Sequence, residues 1–181
     1  MNDPVEFERE TNVVQIPDGT PLAVPVGTRG YIMQVLGGNY TLRLETGHLV
    51  RVAGQDAPAI GREAPIEVSA EGGEGGEGTL EDRIWAQLKT CFDPEIPVNI
   101  VDLGLIYGLV LDDAGADGKR VRVTMTLTAP GCGMGQVLKD DVESKVRGVP
   151  GVSDAEVELT FEPPWGPDRM TEEAQLELGF Y

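Results

Sequence analysis

Eight consecutive residues near the middle of the chain, 71–78, are only glutamate and glycine, in the order Glu-Gly-Gly-Glu-Gly-Gly-Glu-Gly. This run has no apolar side chain to bury, loses much conformational entropy when it is ordered, and repels itself through its carboxylates. Its flexibility also argues against a cation-binding tract. We interpret it as a linker, and we expect a β-rich domain at 1–70, a second domain at 79–162 and a tail at 163–181.

The first 70 residues favour short β-strands that are separated by turn residues. Apolar and β-branched segments bounded by glycine, proline or asparagine turns lie at 13–16, 22–26, 31–36, 40–44 and 49–52. Pro25 interrupts the second segment, which is typical of an edge strand. This spacing predicts a small barrel or sandwich, and we expect a β-barrel-like domain. No catalytic pattern is visible in it, so we expect it to serve in binding or oligomerisation.

Residues 79–162 combine helical and extended patterns. Thr79 and Asp82 form a helix-start pattern that resembles the capping box. Strand patterns lie at 106–111, 121–127 and 155–161, and apolar residues with helical spacing lie before the third strand at Leu138, Val142 and Val146. The order predicts an α+β domain, α-β-β-α-β, in which two helices cover one face of a three-stranded mixed sheet.

Helix ends are also marked in the sequence. Gly148 follows the second helical pattern, and we expect it to close that helix in the left-handed conformation. The tail begins with a stiff Pro-Pro-Trp segment in which Trp165 is the one large anchor. Thr171 and Gly179 are placed to begin and end a last short helix.

Composition excludes several classes of protein. The formal net charge of −17 argues against nucleic-acid binding through a basic patch. No apolar run is long enough to cross a bilayer, and the acidic N-terminus lacks the basic and apolar regions of a signal peptide. We therefore expect a cytoplasmic protein that binds neither nucleic acids nor membranes.

The residues that most often bind metals are scarce. His48 is the single histidine, so a site built from several imidazoles is excluded. We interpret His48 as an exposed or hydrogen-bonded residue at a strand edge. Cys91 and Cys132 are the two cysteines, too few for a disulfide framework, and we expect both to be thiols.

Cys132 lies in a glycine-rich turn between a predicted strand and a predicted helix. Orphan amides and the helix dipole favour a thiolate at a helix N-terminus, which predicts a lowered pKa for this thiol. Gly131 and Gly133 allow backbone amides to approach the sulfur or its ligand. Thr126 and Thr128 are placed to hydrogen-bond the turn. The alternative is an inert, buried cysteine.

Two segments carry a family resemblance. Residues 93–107 read Asp-Pro-Glu-Ile-Pro-Val-Asn-Ile-Val-Asp-Leu-Gly-Leu-Ile-Tyr, and residues 126–134 read Thr-Leu-Thr-Ala-Pro-Gly-Cys-Gly-Met. In this order they resemble the domain of unknown function 59 family, which includes SufT, PaaD-type factors and eukaryotic cytosolic iron–sulfur targeting proteins. The β-rich domain and the Pro-Pro-Trp tail are similar to those of the SufT members.

The resemblance implies a role in iron–sulfur protein maturation, as an assembly or targeting factor rather than an enzyme. It implies that Cys132 is the reactive or cluster-binding thiol and that Asp102 is the family's acidic position near it. Glu95 is a further candidate for a residue that lines the pocket around Cys132. For Asp93 we favour a structural role in the turn. Met134 is expected to be a packing residue.

The resemblance also implies a labile iron–sulfur cluster and, as partners, the iron–sulfur assembly machinery and client apo-proteins. A cluster is usually held by four thiolates, and one chain offers only Cys132 and Cys91. We therefore expect a homodimer, with any cluster shared between two copies or completed by a partner. Symmetric dimers are the commonest oligomers.

Two other functions stay open. A non-catalytic scaffold would bind partner proteins through the motif loops and would need no reactive thiol. A cysteine-nucleophile enzyme would need a base near Cys132, but His48 belongs to the other domain and carboxylates are weak bases for a thiol. Alkylation of Cys132 would abolish the thiol functions and spare the scaffold.

Overall fold

The computed structural model describes residues 3–63, 78–93, 95–115, 118–131 and 133–180. The chain divides into two compact units, Met1–Val68 and Ser69–Tyr181. Among these described residues, each unit has its own hydrophobic core, and the two cores share no residue. Most of the predicted linker, 71–77, lies outside the described residues.

The first unit is a six-stranded antiparallel sheet with the strand order β1-β4-β5-β6-β2-β3. Its core includes Phe7, Leu42 and Val50, all of which are fully buried. A 3₁₀ helix at Gly54–Ile60 follows the last strand. The strands are β1 Asp3–Glu6, β2 Thr11–Gln15, β3 Pro21–Val24, β4 Arg29–Leu36, β5 Asn39–Leu44 and β6 Leu49–Val52.

The barrel-like closure predicted for this unit is not confirmed. In the part of the chain that the structure describes, β1 and β3 are the edges of the sheet and no strand pairing joins them. Phe7, which follows β1, instead exchanges backbone hydrogen bonds with Gly27 and Thr28 in the turn after β3. The sequence pattern also missed β1, because its four residues include only one buried apolar side chain, Val5.

The second unit confirms the predicted order α-β-β-α-β. β7 and β8 pair antiparallel, and β8 and β9 pair parallel, which makes a three-stranded mixed sheet. None of the described helices is long and apolar enough to cross a membrane. The elements are α1 Leu80–Leu88, β7 Ile106–Asp113, β8 Lys119–Met125, α2 Gly135–Arg147, β9 Val152–Leu159 and α3 Glu172–Leu178.

Local helix-start signals are confirmed. The Thr79 hydroxyl accepts a hydrogen bond from the Asp82 amide, and the Asp82 carboxylate accepts one from the Thr79 amide, so a complete capping box begins α1. The Thr171 hydroxyl caps α3 in the same way through the Ala174 amide. Gly179 ends α3 in the left-handed region at φ 78°.

The core of the second unit forms between the sheet and its helices. The predicted stripe on α2, Leu138, Val142 and Val146, is buried there. The left-handed cap predicted at Gly148 is wrong, because Gly148 has φ −71° and ψ −11°. The chain continues in right-handed turns through Val149, and the left-handed residue is Gly151 at φ 99°.

We predict that a fragment comprising residues 78–181 folds on its own, because its core, as far as the structure describes the chain, takes no residue from the first unit. Both tryptophans, Trp85 and Trp165, lie in this fragment. Tryptophan fluorescence therefore reports the unfolding of the second unit alone, in the fragment and in the full chain. We expect the same urea midpoint for both. A fragment without a cooperative transition would contradict the division.

Candidate functional site

A single helical turn, which we call the motif turn (residues 99–105), precedes β7 and carries Asp102. The Asn99 side-chain oxygen accepts hydrogen bonds from the amides of Val101 and Asp102, both at 3.0 Å. The Asn99 amide group also donates to Asp102 Oδ2 at 2.6 Å. Asn99 therefore caps the turn, as asparagine does at helix starts, and fixes the Asp102 carboxylate.

The motif turn ends in a Schellman motif. The Gly104 amide donates to the Val101 carbonyl at 2.9 Å, and the Leu105 amide donates to the Ile100 carbonyl at 3.0 Å. Gly104 has φ 70°, a left-handed conformation that glycine adopts without strain. Ile100 and Leu105 are both fully buried and tie the turn to the core.

A second segment, which we call the strap (residues 163–171), lies against the motif turn. The Trp165 indole N–H donates to the Leu103 carbonyl at 2.8 Å, and the Thr171 amide donates to the Asp102 carbonyl at 2.9 Å. A Cβ atom on Gly104 would lie only 2.1 Å from the Arg169 carbonyl oxygen. Close contact with the strap therefore requires glycine at 104.

The strap also contacts the first residues of β7. The Tyr107 hydroxyl donates to the Pro163 carbonyl at 2.8 Å. The Arg169 guanidinium lies 4.5 Å from the centre of the Tyr107 ring, a cation–π distance. Trp165 packs against the hydrophobic core, which confirms its predicted role as the anchor of the tail.

Thr126 connects the motif turn to the end of β8. Its amide donates to the Leu105 carbonyl at 2.8 Å. The residue is 1% exposed, and its hydroxyl has no hydrogen-bond partner among the residues that the structure describes. The backbone bond reaches the motif turn, whereas the hydrogen bonding of the glycine-rich turn that we expected of Thr126 stays a prediction.

The loop between β8 and α2 is anchored at both ends. Leu127 and Met134 are buried, the latter as predicted. A Cβ atom on Gly135, the first residue of α2, would lie 2.4 Å from Leu127 Cδ1, so glycine permits this close packing. Thr128 is half-buried, whereas the glycines at 131 and 133 are exposed.

Cys132 lies outside the described residues. Its contacts with Asp102, Glu95, Thr126 and Thr128, and its thiol reactivity, therefore stay predictions. The helix that was expected to follow it, α2, begins three residues later at Gly135.

A tight turn before the motif turn holds Asp93 and Glu95. Asp93 is 5% exposed, and its carboxylate accepts a hydrogen bond from the Glu95 amide at 2.9 Å. Burial raises the pKa of Asp93; the Glu95 amide opposes this shift, and the Glu95 charge adds to it. This geometry fits the structural role that we favoured for Asp93. The Glu95 residue is exposed.

The structure links some candidate residues and not others. The Leu105–Thr126 hydrogen bond brings the turn that carries Asp102 to the end of β8. In the described part of the chain, no hydrogen bond joins Glu95 to Asp102 or to Thr126. Within those same limits, no group of three or more histidine, cysteine, aspartate or glutamate residues could hold a metal ion. Sequence reasoning missed Asn99, although its spacing of three from Asp102 resembles a helix-start signal.

Comparison with known proteins identifies the second unit. The sequence model described as "Iron-sulfur cluster assembly protein" matches residues 81–159. An Fe-S protein maturation auxiliary factor of Porphyromonas gingivalis is 55% identical over 100 residues, which cover 55% of this chain and 91% of that protein. This chain belongs to the iron–sulfur cluster assembly protein family. The family resemblance predicted for residues 79–162 is thereby confirmed.

Other members of the family agree. The Fe-S protein maturation auxiliary factor SufT of Staphylococcus aureus is 40% identical over 87 residues, 48% of this chain and 94% of that protein. A crystal structure of a domain of unknown function, DUF59, from Bacillus anthracis is 35% identical with a TM-score of 0.50, and covers 56% of this chain and 93% of that one. The match to the family model lies wholly within the second unit.

Both segments that carry the family resemblance fall within residues 81–159. They are distant in sequence, and in the structure the hydrogen bond between Leu105 and Thr126 joins them directly. In this member of the family, the strap lies outside the matched residues but contacts the first of the two segments.

Gly104→Ala is expected to lower the free energy of unfolding of this family member by more than about 2 kcal/mol, because it combines left-handed strain with a clash against the Arg169 backbone. Gly108→Ala is the matched control, since its Cβ would meet Thr124 at an ordinary 3.7 Å. Urea unfolding followed by tryptophan fluorescence measures both. Equal stability of the two variants would contradict the close approach of the strap.

Asp93 predicts a specific pH dependence of stability. Its folded pKa is raised, so in the window above its ordinary value the folded state binds more protons than the unfolded state, and stability falls as pH rises. Asp93→Asn keeps the acceptor for the Glu95 amide and removes this titration. We expect the variant to gain stability relative to the wild type as pH rises from about 3 to 6. Parallel stability curves would refute the assignment.

Proposed function

We propose that this chain is a maturation factor for iron–sulfur proteins and that it acts through the thiol of Cys132. The observation that supports this most is the Leu105–Thr126 hydrogen bond, which joins the two family segments. Thr126 precedes Cys132 by six residues in the sequence, so the segment that carries the cysteine starts at this junction. The matched relatives named as Fe-S protein maturation auxiliary factors support the same role.

The cargo of this function is a labile iron–sulfur cluster, bound transiently. A cluster usually needs four thiolates. Cys91 cannot supply one without rearrangement, because it is fully buried in the core. A cluster on Cys132 would therefore be shared in a homodimer or completed by the assembly machinery or a client apo-protein. This role requires no catalytic turnover, so under the proposal the chain is a maturation factor rather than an enzyme.

A non-catalytic scaffold is the second candidate. The exposed residues of the loop between β8 and α2, Ala129, Pro130, Gly131 and Gly133, support it, because they offer a surface that a partner protein could contact without a thiol. Both functions require an intact loop, but only the first requires the sulfur atom.

Substitution of each cysteine separates the two candidates. In a cell that lacks this gene and carries each variant, we expect Cys132→Ala to abolish rescue of iron–sulfur enzyme activity while its urea midpoint stays near that of the wild type. Cys91→Ala is the matched control. It should retain rescue, although removal of a fully buried side chain lowers its stability by about 1 kcal/mol. Full rescue by Cys132→Ala would exclude the thiol mechanism and favour the scaffold.

A further inference from the structure

The strap supplies hydrogen bonds that the motif turn does not make for itself. Within the turn, the carbonyls of Asn99, Ile100 and Val101 accept hydrogen bonds from later amides of the same turn. The next two carbonyls, of Asp102 and Leu103, accept from the strap, through the Thr171 amide and the Trp165 indole. The end of a helical turn leaves its last carbonyls without internal partners, and here a distant segment satisfies them.

The strap is itself held firmly. Met170 is buried in the core of the second unit, and so is Ala174 of α3. The Gln175 side chain donates to the Pro167 carbonyl at 2.9 Å and to the Met170 carbonyl at 3.3 Å. The strap therefore has its own support from the core and from α3, and it does not depend on the motif turn alone.

A series of hydrogen bonds links the strap, through the motif turn, to Thr126 at the end of β8. The strap binds the Asp102 and Leu103 carbonyls, Leu105 of the same turn accepts from the Thr126 amide, and Thr126 opens the segment that continues to Cys132. We propose that the strap is a positioning element for the maturation function, with Thr171 and Trp165 as positioning residues. It fixes the turn that carries Asp102 and thereby the start of the cysteine segment. This inference rests on the proposed function of Cys132.

Thr171 allows one hydrogen bond to be removed cleanly. It has φ −64° and ψ 158°, which proline adopts, and the preceding Met170 has φ −71° and ψ 153°, which a following proline tolerates. Thr171→Pro therefore deletes the amide that donates to Asp102, together with the hydroxyl that caps α3. Thr171→Ala deletes only the hydroxyl. Comparison of the two variants isolates the contact between the strap and the motif turn.

The readout is the pH profile of iodoacetamide alkylation at each cysteine of the full chain, from about pH 6 to pH 9, followed by mass spectrometry. Cys91 is fully buried, so its protection shows that the chain stays folded. We expect Thr171→Pro to change the Cys132 rate at least about threefold, equivalent to half a pKa unit, with Cys91 still protected. Thr171→Ala should match the wild type. Identical Cys132 profiles for the two variants would overturn the proposal.

If Thr171→Pro leaves Cys91 open to alkylation, and so unfolds the chain, the variant Trp165→Phe tests the positioning role instead. It keeps an aromatic ring and removes the indole N–H that donates to Leu103. Trp85→Phe is its control, because Trp85 also packs against the core of the second unit. A changed Cys132 profile confined to Trp165→Phe supports the proposal, and profiles that match between the two variants reject it.

The alkylation experiment needs neither a cluster nor a partner, so it tests the strap independently of the proposed function. Full rescue by Cys132→Ala would reject the thiol function whatever the alkylation profiles show. Conversely, failed rescue by Cys132→Ala, combined with unchanged profiles in the strap variants, would keep the thiol function and reject the positioning role.

Discussion

The site depends on one constraint, which is that the buried backbone N–H and C=O groups of the motif turn need hydrogen-bond partners. Ile100, Leu103 and Leu105 are fully buried, which takes the surrounding carbonyls and amides away from water. Buried backbone groups are nearly always hydrogen-bonded, because an unpaired group loses its solvation without compensation. Asn99 meets this need at the start of the turn, and the Schellman motif at Gly104 and the strap meet it at the end.

The same constraint explains why the strap and the turn require each other. Gly104 is glycine because of its left-handed φ and because the Arg169 carbonyl approaches it too closely for a Cβ atom. Trp165 places its polar N–H on the Leu103 carbonyl and its ring against the core. A half-buried tryptophan can in this way bury its apolar ring while its N–H keeps a hydrogen-bond partner.

On the opposite side of the junction, Thr126 keeps a buried hydroxyl without a partner in the described structure. Native proteins rarely leave such groups unsatisfied, which sets this buried position apart from the rest of the strand. The sheet supplies the support for it, since β8 lies between β7 and β9 and cannot shift without disturbing both.

The sequence by itself determined features that depend on neighbouring residues. The capping box of Thr79, the cap and end of α3, the stripe on α2 and the order of helices and strands in the second unit follow from propensity, spacing and local hydrogen bonds. Other expectations did not hold. The barrel-like closure of the first sheet, which depends on how distant strands pair, is not confirmed. The sequence pattern missed the edge strand β1, which has one buried apolar side chain, and placed a left-handed cap at Gly148 instead of Gly151.

Only the tertiary structure decided how the strap, the motif turn and the end of β8 meet. Leu103 and Trp165 are 62 residues apart, and their hydrogen bond has no local signal in either segment. The partner of a buried carbonyl is set by which chain segment the core brings alongside it, which neither periodicity nor composition specifies. The family segments could therefore be read from the sequence, but their direct contact at Leu105 and Thr126 could not, because it exists only after the sheet has formed.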